Sequence, residues 1–385
     1  MTESPEPLLA GLLVIDMSQF LSGPFAALRL SDLGARVIKI ERPDGGDLCR
    51  RLYLSDTELG GDSTLFHAIN RGKQSFAADF KNPKDVEAVR SLIARADILI
   101  QNFRPGVIDR LGLDWETVKR INPGLVYGSI SGYGEAGPWS RLPGQDLLAQ
   151  ARSGVMWLNG DEGQGPVPFG LAIADLLAGN ALVQGLLAGV VRKLRSGQGA
   201  HVETSLLEAL IDFQFEVLTT YMNDGGRLPT RSSFRNAHAY LSAPYGVYRT
   251  TTGWLALAMT PLAKLAPLLE MPELASLPSD APFRQRDEIK RRIAATIEAK
   301  STADWLAILQ PHDIWCAEVL DWPKLYASDT FKFLDMLQTL EGPGGFEIRA
   351  LRSPLRVDGA RSGTSKPAPR IGEHTQALRE EFGLV

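Results

Sequence analysis

The chain has 385 residues, 44% of them apolar and 22% charged, with a formal net charge of -4. That length predicts about two to three domains with ample core, and the mix is that of a globular chain. The charge excludes a general attraction to nucleic acid or to an anionic membrane, leaving only local basic clusters around an anionic ligand.

From residue 11 to about 135 the pattern alternates strand and helix. LLVIDMS (12–18) reads as a strand, GPFAALRLSDLGA (23–35) as a helix and VIKIE (37–41) as a strand. SFAADF, the helical DVEAVRSLIARA (85–96), ILIQNF (98–103), the helical WETVKRI (115–121) and LVYGSIS (125–131) continue the series. Continuous apolar strands separated by helices predict a parallel sheet covered on both faces. In such sheets ligands sit beyond the carboxyl ends of the strands. That singles out Gln19–Gly23, Arg42–Gly46, Asn102–Gly106 and Ser131–Gly137.

Leu171 to Val191 is a long apolar run whose polar members are Asp175, Asn180 and Gln184. Its length suits a membrane span, but a central Asp costs about 2.5–3.5 kcal/mol on insertion, so a buried helix is expected. Gly185 and Gly189 fall on one face of it, where another backbone can approach. HVETSL then reads as a strand leading into a helix through about Met222. NDGGRLPTRSSFRNAHAY is rich in turn residues and reads as a linker or mobile loop.

Past residue 241 the pattern changes. APYGVYR and GWLALAM flank the turn TTTG as an antiparallel hairpin. Helices are expected at about 261–271, 284–299 and 302–310, and FEIRALRSPLRV reads as β. The predicted division is a large domain over 1–222, a small α+β domain over 223–330, and a return to the large domain over 331–385 that ends in the helix of APRIGEHTQALREEFGL.

Few motifs carry chemistry. Cys49 and Cys316 have no CxxC spacing, so neither a disulfide framework nor a zinc site is expected. The five histidines show no metal spacing, and a GxSxG elbow, a P-loop and paired carboxylates are all missing. MTESPEPLLAG lacks the basic n-region of a signal peptide, so a cytoplasmic compartment is expected. GYGEAG (132–137) matches GxGxxG, but Pro138-Trp-Ser-Arg-Leu-Pro143 cannot carry the helix that a pyrophosphate needs. It reads instead as a close-approach loop lining a site. Asp175 is left with two readings: a helix N-cap, or a nucleophile or base that the helix dipole keeps ionised while apolar neighbours strip its water.

GLLVIDMSQFLSGPFAALRLSDLGARVIKIERPDGGD, NRGKQSFAADFKNP, QNFRPGVIDRLGLDWETVKRINPGLVYGSISGYGEAGPW and APRIGEHT, in this order, resemble the blocks of family III CoA-transferases. The resemblance spans nearly the whole chain and is weakest between about 223 and 245. It implies a Rossmann-like large domain built from both chain ends, a small α+β domain and a homodimer of interlocked chains. It implies coenzyme A as a substrate with no metal and no permanently bound cofactor. Asp175 stands in the place of the family's nucleophile, which carries CoA from an acyl-CoA donor (succinyl-CoA-like or formyl-CoA-like) to a free carboxylic acid. Gln19, Leu21, Ser22, Arg42, Lys73, Asn102, Phe103, Arg104, Arg110, Tyr133 and Gly134 match the family's CoA-binding positions. Glycines 132–137 would offer backbone N–H groups to ligand oxygens.

Two departures narrow the reading. Racemases of this group use a His where this chain has Gln145, which takes no proton at neutral pH. Where some transferases carry a glycine-rich loop, this chain has RSSFRNAHAY. Arg231, Arg235 and His238 are therefore the candidates for holding the far carboxylate of a dicarboxylate acceptor. The alternatives are an acyl-CoA racemase or isomerase, and a catalytically silent CoA-binding protein.

Overall fold

The structure, a computed structural model, describes residues 6–384. It divides into two compact units. The first holds residues up to Arg152, Ala172–Phe213 and everything from Leu334; the second holds Ser153–Leu171 and Gln214–Phe333. These limits differ from the predicted ones. Ser153–Leu171 belongs to the second unit because it bonds to that unit's backbone: Gln214 Nε2 donates to the Ser153 carbonyl (3.1 Å), and Glu162 N–H to that of Ser232 (2.9 Å).

The first unit is built on a six-stranded parallel sheet. In chain order it contains β1 (Leu13–Asp16), α1 (Ser22–Asp32), β2 (Arg36–Glu41), β3 (Gln74–Ala77), α2 (Pro83–Ile93), β4 (Ile98–Gln101), α3 (Trp115–Ile121), β5 (Val126–Ser131), α4 (Asp146–Ser153), α5 (Ile173–Ser196), β6 (Ala200–Ser205) and α6 (Leu206–Phe213). The strands lie in the order 3-2-1-4-5-6. β1 pairs with β2 on one side and β4 on the other, Val14 sitting between Val37 and Ile98. The winding reverses there, which opens a crevice at the carboxyl ends of β1 and β4.

Alternation along the strands sends side chains to both faces. Leu13, Ile15, Leu99 and Tyr127 join Val89, Leu92 and Val118 of α2 and α3 in one core layer. On the opposite face α5 lies over β5 and β6. Gly128 of β5 touches Leu182 and Leu186, and Cβ atoms on Gly185 and Gly189 would strike Val202 (2.4 Å) and Val126 (2.6 Å). The glycine face is thus filled by the chain's own sheet, not by another backbone. One glycine of α5 does meet backbone: a Cβ on Gly179 would lie 2.8 Å from the Ser22 carbonyl of α1. By length and composition α5 could cross a membrane; in this fold one side of it, with Ala178, Leu182, Leu186 and Val190, is buried.

Besides Ser153–Leu171, the second unit holds α7 (Phe215–Asn223) and the expected hairpin, β7 (Gly246–Arg249) and β8 (Trp254–Leu257), followed by α8 (Arg286–Ile297), α9 (Thr302–Leu309) and β9 (Cys316–Glu318), the third strand of its sheet. Tyr248, Leu255, Ile289, Ile293 and Trp305 form its core. Only Leu262–Leu265 of the predicted 261–271 helix forms an α-helix, since Pro267 cannot donate to continue it. The stretch read as a linker is tied down. Ser232 and Ser233 donate to Asp287 of α8 (2.6 and 2.5 Å), Lys290 to the Arg235 carbonyl (2.7 Å) and Arg286 to that of Ala239 (3.0 Å).

The chain then returns to the first unit through the hairpin β10 (Leu337–Glu341) and β11 (Glu347–Leu351) and ends in α10 (Thr375–Phe382). Its last segment covers edge strand β3. His374 N–H donates to the Ser75 carbonyl (3.0 Å) and Thr375 Oγ1 accepts from Ala77 N–H (2.9 Å), which satisfies those edge groups within the chain.

Candidate active site

The turn after β1 is held from below by buried charge. Lys73 donates its three N–H bonds to Asp16 (2.8 Å), the Pro24 carbonyl (2.8 Å) and Asn70 (2.9 Å). Lys39 meets Asp47 at 2.8 Å and donates to the Ser18 carbonyl (2.9 Å). Asp16 accepts from the backbone N–H (3.0 Å) and hydroxyl of Ser18, and Asp47 from Phe20 N–H (3.1 Å), fixing Phe20 at φ 63°. Burial alone would push the Asp16 carboxyl up, but Lys39 and Lys73 hold it below its ordinary value. The Lys73 ammonium is pushed down to about 8 by burial, with Lys39 adding to the effect and Asp16 opposing it. Each ion here has an opposite partner, as buried charge requires.

This cluster fixes residues 17–24, which open α1. Gly23 is required, since a Cβ there would fall 2.2 Å from that of Ser18. Across the crevice Asn102, just past β4, pairs with Gln19. Its Oδ1 accepts from Gln19 N–H (2.8 Å), its Nδ2 donates to the Gln19 carbonyl (2.7 Å), and the same Nδ2 lies 3.4 Å from Ser22 Oγ.

Ser22, first residue of α1, bears on Asp175: its hydroxyl and N–H favour the charged carboxylate. Asp175 is the third residue of α5 and half-buried. It is not the N-cap: that position is Ala172, which makes no side-chain cap bond. The capping carboxylate comes from α4, where Asp146 accepts from Ala174 N–H (2.7 Å) and from Gln150 Nε2 (2.7 Å). Burial, reinforced by Asp146, pushes the Asp175 carboxyl up to about 6 against the two Ser22 donors. At neutral pH it is still mostly ionised, partly stripped of water and lacks a cation of its own among the groups that shift it. Such a carboxylate can attack an electrophilic carbonyl.

The other predicted residues divide into exposed and occupied. Arg42 after β2, and Arg104 and Arg110 after β4, are exposed at this end of the sheet. Leu21 packs on Cys49, Phe66, Ile69 and Ala368, and Phe103 on the main core. Lys73 is a correction: with all three N–H bonds spent inside the fold, its ammonium is not offered to a phosphate. The Gly134 N–H donates to Ser131 Oγ (2.8 Å). The Gly132 loop folds onto residues 139–144, with Gly132 against Gly144 and Tyr133 donating to the Pro143 carbonyl (3.2 Å).

In the second unit, Arg231 is buried and its Nη1 donates to the carbonyls of Asn159 and Gly165. His238 Nδ1 accepts from Tyr240 N–H (3.2 Å), while Nε2 faces Glu216 at 3.8 Å, a charge that would repel an acid. Arg235 stacks over Trp254, 4.4 Å from the ring centre. Sequence reasoning missed Asp16, Lys39, Asp47 and Asp146. The available signal was a charge inside each of the buried strands LVID and RVIKIE.

The sequence profile of CoA-transferase family III matches residues 9–375. A succinate–glutarate CoA-transferase of Agrobacterium fabrum is 32% identical over 100% of this chain and 98% of its own length. A succinyl-CoA:mesaconate CoA-transferase of Haloarcula hispanica is 32% identical over 98% and 96%. The crystal structure of a CAIB/BAIF family protein from Brucella suis superposes with a TM-score of 0.85 at 31% identity, covering 98% of this chain and 100% of that one. The chain belongs to CoA-transferase family III.

Proposed function

We propose that this CoA-transferase moves CoA from an acyl-CoA to a dicarboxylate through covalent chemistry at Asp175. The observation that carries the reading is an ionised, half-buried carboxylate at the start of α5, relieved of capping by Asp146 and facing the donors of α1 at the switch point of the sheet. The dicarboxylate class rests on the relatives, named for glutarate and mesaconate.

An Asp175 oxygen attacks the thioester carbonyl, the C–S bond breaks, and a mixed anhydride and CoA thiolate result. The thiolate attacks the aspartyl carbonyl, the anhydride C–O bond breaks, the donor acid leaves as carboxylate, and an aspartyl-CoA thioester remains. The acceptor carboxylate attacks that thioester and expels thiolate. The thiolate then attacks the acceptor's acyl carbonyl, releasing new acyl-CoA and restoring Asp175. No step needs a net proton, so the site needs oxyanion donors and exclusion of water. The Ser22 N–H and hydroxyl, which favour the charged form of Asp175, are the candidates for such donors. Arg42, Arg104 and Arg110 suit CoA phosphates.

The test is incubation with succinyl-CoA and glutarate, mass spectrometry of the products, and hydroxylamine trapping of the enzyme. Glutaryl-CoA and a hydroxamate at Asp175 are expected. Full turnover by Asp175→Asn with no adduct would refute the reading.

A further inference from the structure

Arg50, Arg71 and Arg231 are each more than nine-tenths buried. Arg50 meets Glu41 (2.8 Å) and Asp62 (2.6 Å), and Arg71 meets Asp32 (2.9 Å). Arg231 differs: among the described residues it has no carboxylate partner. Its Nη1 gives two hydrogen bonds, to the carbonyls of Asn159 and Gly165. The N–H groups on Nε and Nη2 make no hydrogen bond among the described residues. A buried charge in that state is costly until an anion joins it.

Arg231 lines a cavity of about 660 Å³ whose walls all belong to the second unit. The guanidinium lies 5.8 Å from the ring centre of Trp157, which walls the cavity with Leu158, Val217 and Leu218. Val217 and Leu218 come from α7, a helix with no buried residue. Tyr240 lines the same cavity, and its buried hydroxyl has no partner among the described residues. Buried polar groups are rarely left so. Glu162 also lines the cavity, but it is exposed and forms no ion pair with Arg231. Apolar walls with a few converging polar groups are the makeup of a small-molecule site.

We propose that this cavity is a binding site for a free carboxylic acid with an apolar chain. The Nε–Nη2 edge of Arg231 takes both carboxylate oxygens through two parallel, charge-assisted bonds. The chain lies against Trp157, Val217 and Leu218, and the Tyr240 hydroxyl meets a polar group further along it. The two carbonyls on Nη1 hold the guanidinium plane beforehand, so little side-chain freedom is lost on binding. An amine would be repelled by Arg231, and a hydrocarbon would leave both Arg231 and Tyr240 unpaired and dry. Acids of this chemistry have two sources: the acid substrate of the CoA transfer proposed above, or an effector that never reacts. The first source rests on that reading, whereas the binding site itself stands apart from Asp175.

The test is isothermal titration calorimetry of the full chain without CoA, using hexanoate, glutarate and glutaramide as probes. Both acids should give saturable binding. Glutaramide, the uncharged counterpart of glutarate, should bind at least about tenfold more weakly. Arg231→Gln should weaken acid binding at least about tenfold, and Tyr240→Phe about threefold. Leu218→Trp fills the cavity without touching Arg231 and should abolish hexanoate binding, which keeps the test open even if Arg231→Gln does not fold. With the acid substrate as the source, Leu218→Trp raises the KM for glutarate at least about tenfold. With an effector as the source, hexanoate changes the turnover of the wild type and not that of Leu218→Trp. Acid binding unchanged in affinity and stoichiometry in both Arg231→Gln and Leu218→Trp would overturn the proposal. So would the lack of saturable heat from either acid up to about 10 mM. Asp175→Asn should still bind hexanoate in this cavity, so a failed nucleophile reading and a failed binding site give different results.

Discussion

Asp16 closes β1 and Asp175 opens α5, and the turn of residues 17–22 links the two: Asp16 anchors its start and Ser22 ends it at Asp175. Asp16 is wholly buried, yet two lysines hold its carboxyl below its usual range. Asp175 is only half-buried, yet burial with no cation to offset it, reinforced by the neighbouring Asp146 carboxylate, raises its carboxyl to about 6. Burial acts on both groups, and depth alone therefore does not mark the reactive one. What separates the two is partnership: one carboxylate is neutralised in place and fixes a loop, and the other is left with neutral donors where a substrate can reach it.

The strongest way to break that contrast is Asp175→Asn. CoA transfer should fall at least about a thousandfold while the protein becomes more stable at neutral pH. The folded-state carboxyl lies above its ordinary value, so ionised Asp175 disfavours the fold above about pH 6, and the penalty fades as pH falls toward 4. Partial exposure to water holds the gain to about 1 kcal/mol. Thermal melts at pH 7 and pH 4 check the sign. A less stable Asp175→Asn at pH 7 would mean that this carboxylate is paired after all.

Lys73→Met attacks the other side. Removing one member of a buried ion cluster costs about 3–5 kcal/mol, and Pro24 at the start of α1 loses its tie. A large drop in denaturation midpoint with a secondary loss of kcat is expected. Lowering the pH separates the two carboxylates without mutation. Asp175 protonates through about pH 6, whereas the depressed Asp16 stays ionised until the pH falls below its ordinary range near 3.8. At pH 5 kcat/KM should have dropped about tenfold while circular dichroism shows an intact, fully recoverable fold.

Two glycines of α5 sharpen the comparison further. Gly179→Ala would press on the Ser22 carbonyl (2.8 Å), which is backbone and can yield only if α1 shifts away from Asp175. Gly185→Ala would press on the side chain of Val202 (2.4 Å) on β6. The first should lower kcat about tenfold. The second should cost about 1–3 kcal/mol of stability and leave kcat within about twofold.

What could be read from sequence follows the same division. The buried strands LVID and ILIQ were legible because a parallel sheet covered on both faces makes its strands continuously apolar. Asp175 was legible because one charge interrupts an apolar run. Lys39 was not, although it too is a charge in an apolar strand, because its partners Asp16 and Asp47 come from separate segments. Asp146 escaped for a similar reason: it caps a helix that starts 27 residues further on, at Ile173. The stretch around Ser232 looked like a linker by composition, and the ties that order it come from Asp287 and Lys290, more than fifty residues away. Local pattern reported the elements, and long-range charge pairing stayed hidden.

The smallest expected effect turns on two cations that sequence reasoning treated alike. Lys73 and Arg42 both read as phosphate ligands near strand ends. Lys73 is buried with every donor used, whereas Arg42 stands exposed just past β2. An exposed guanidinium in water contributes modestly to binding and is screened by salt. Arg42→Ala should therefore raise the KM for acyl-CoA about three- to tenfold at low ionic strength, leave kcat and the melting midpoint unchanged, and lose most of its effect in high salt. Lys73→Met should show the reverse, with stability lost and the salt dependence of KM intact. If instead Lys73→Met flattened that salt dependence while Arg42→Ala did nothing, the buried lysine would be reaching phosphate in the working enzyme. The charge cluster below the turn would then belong to the binding site and not to its foundation.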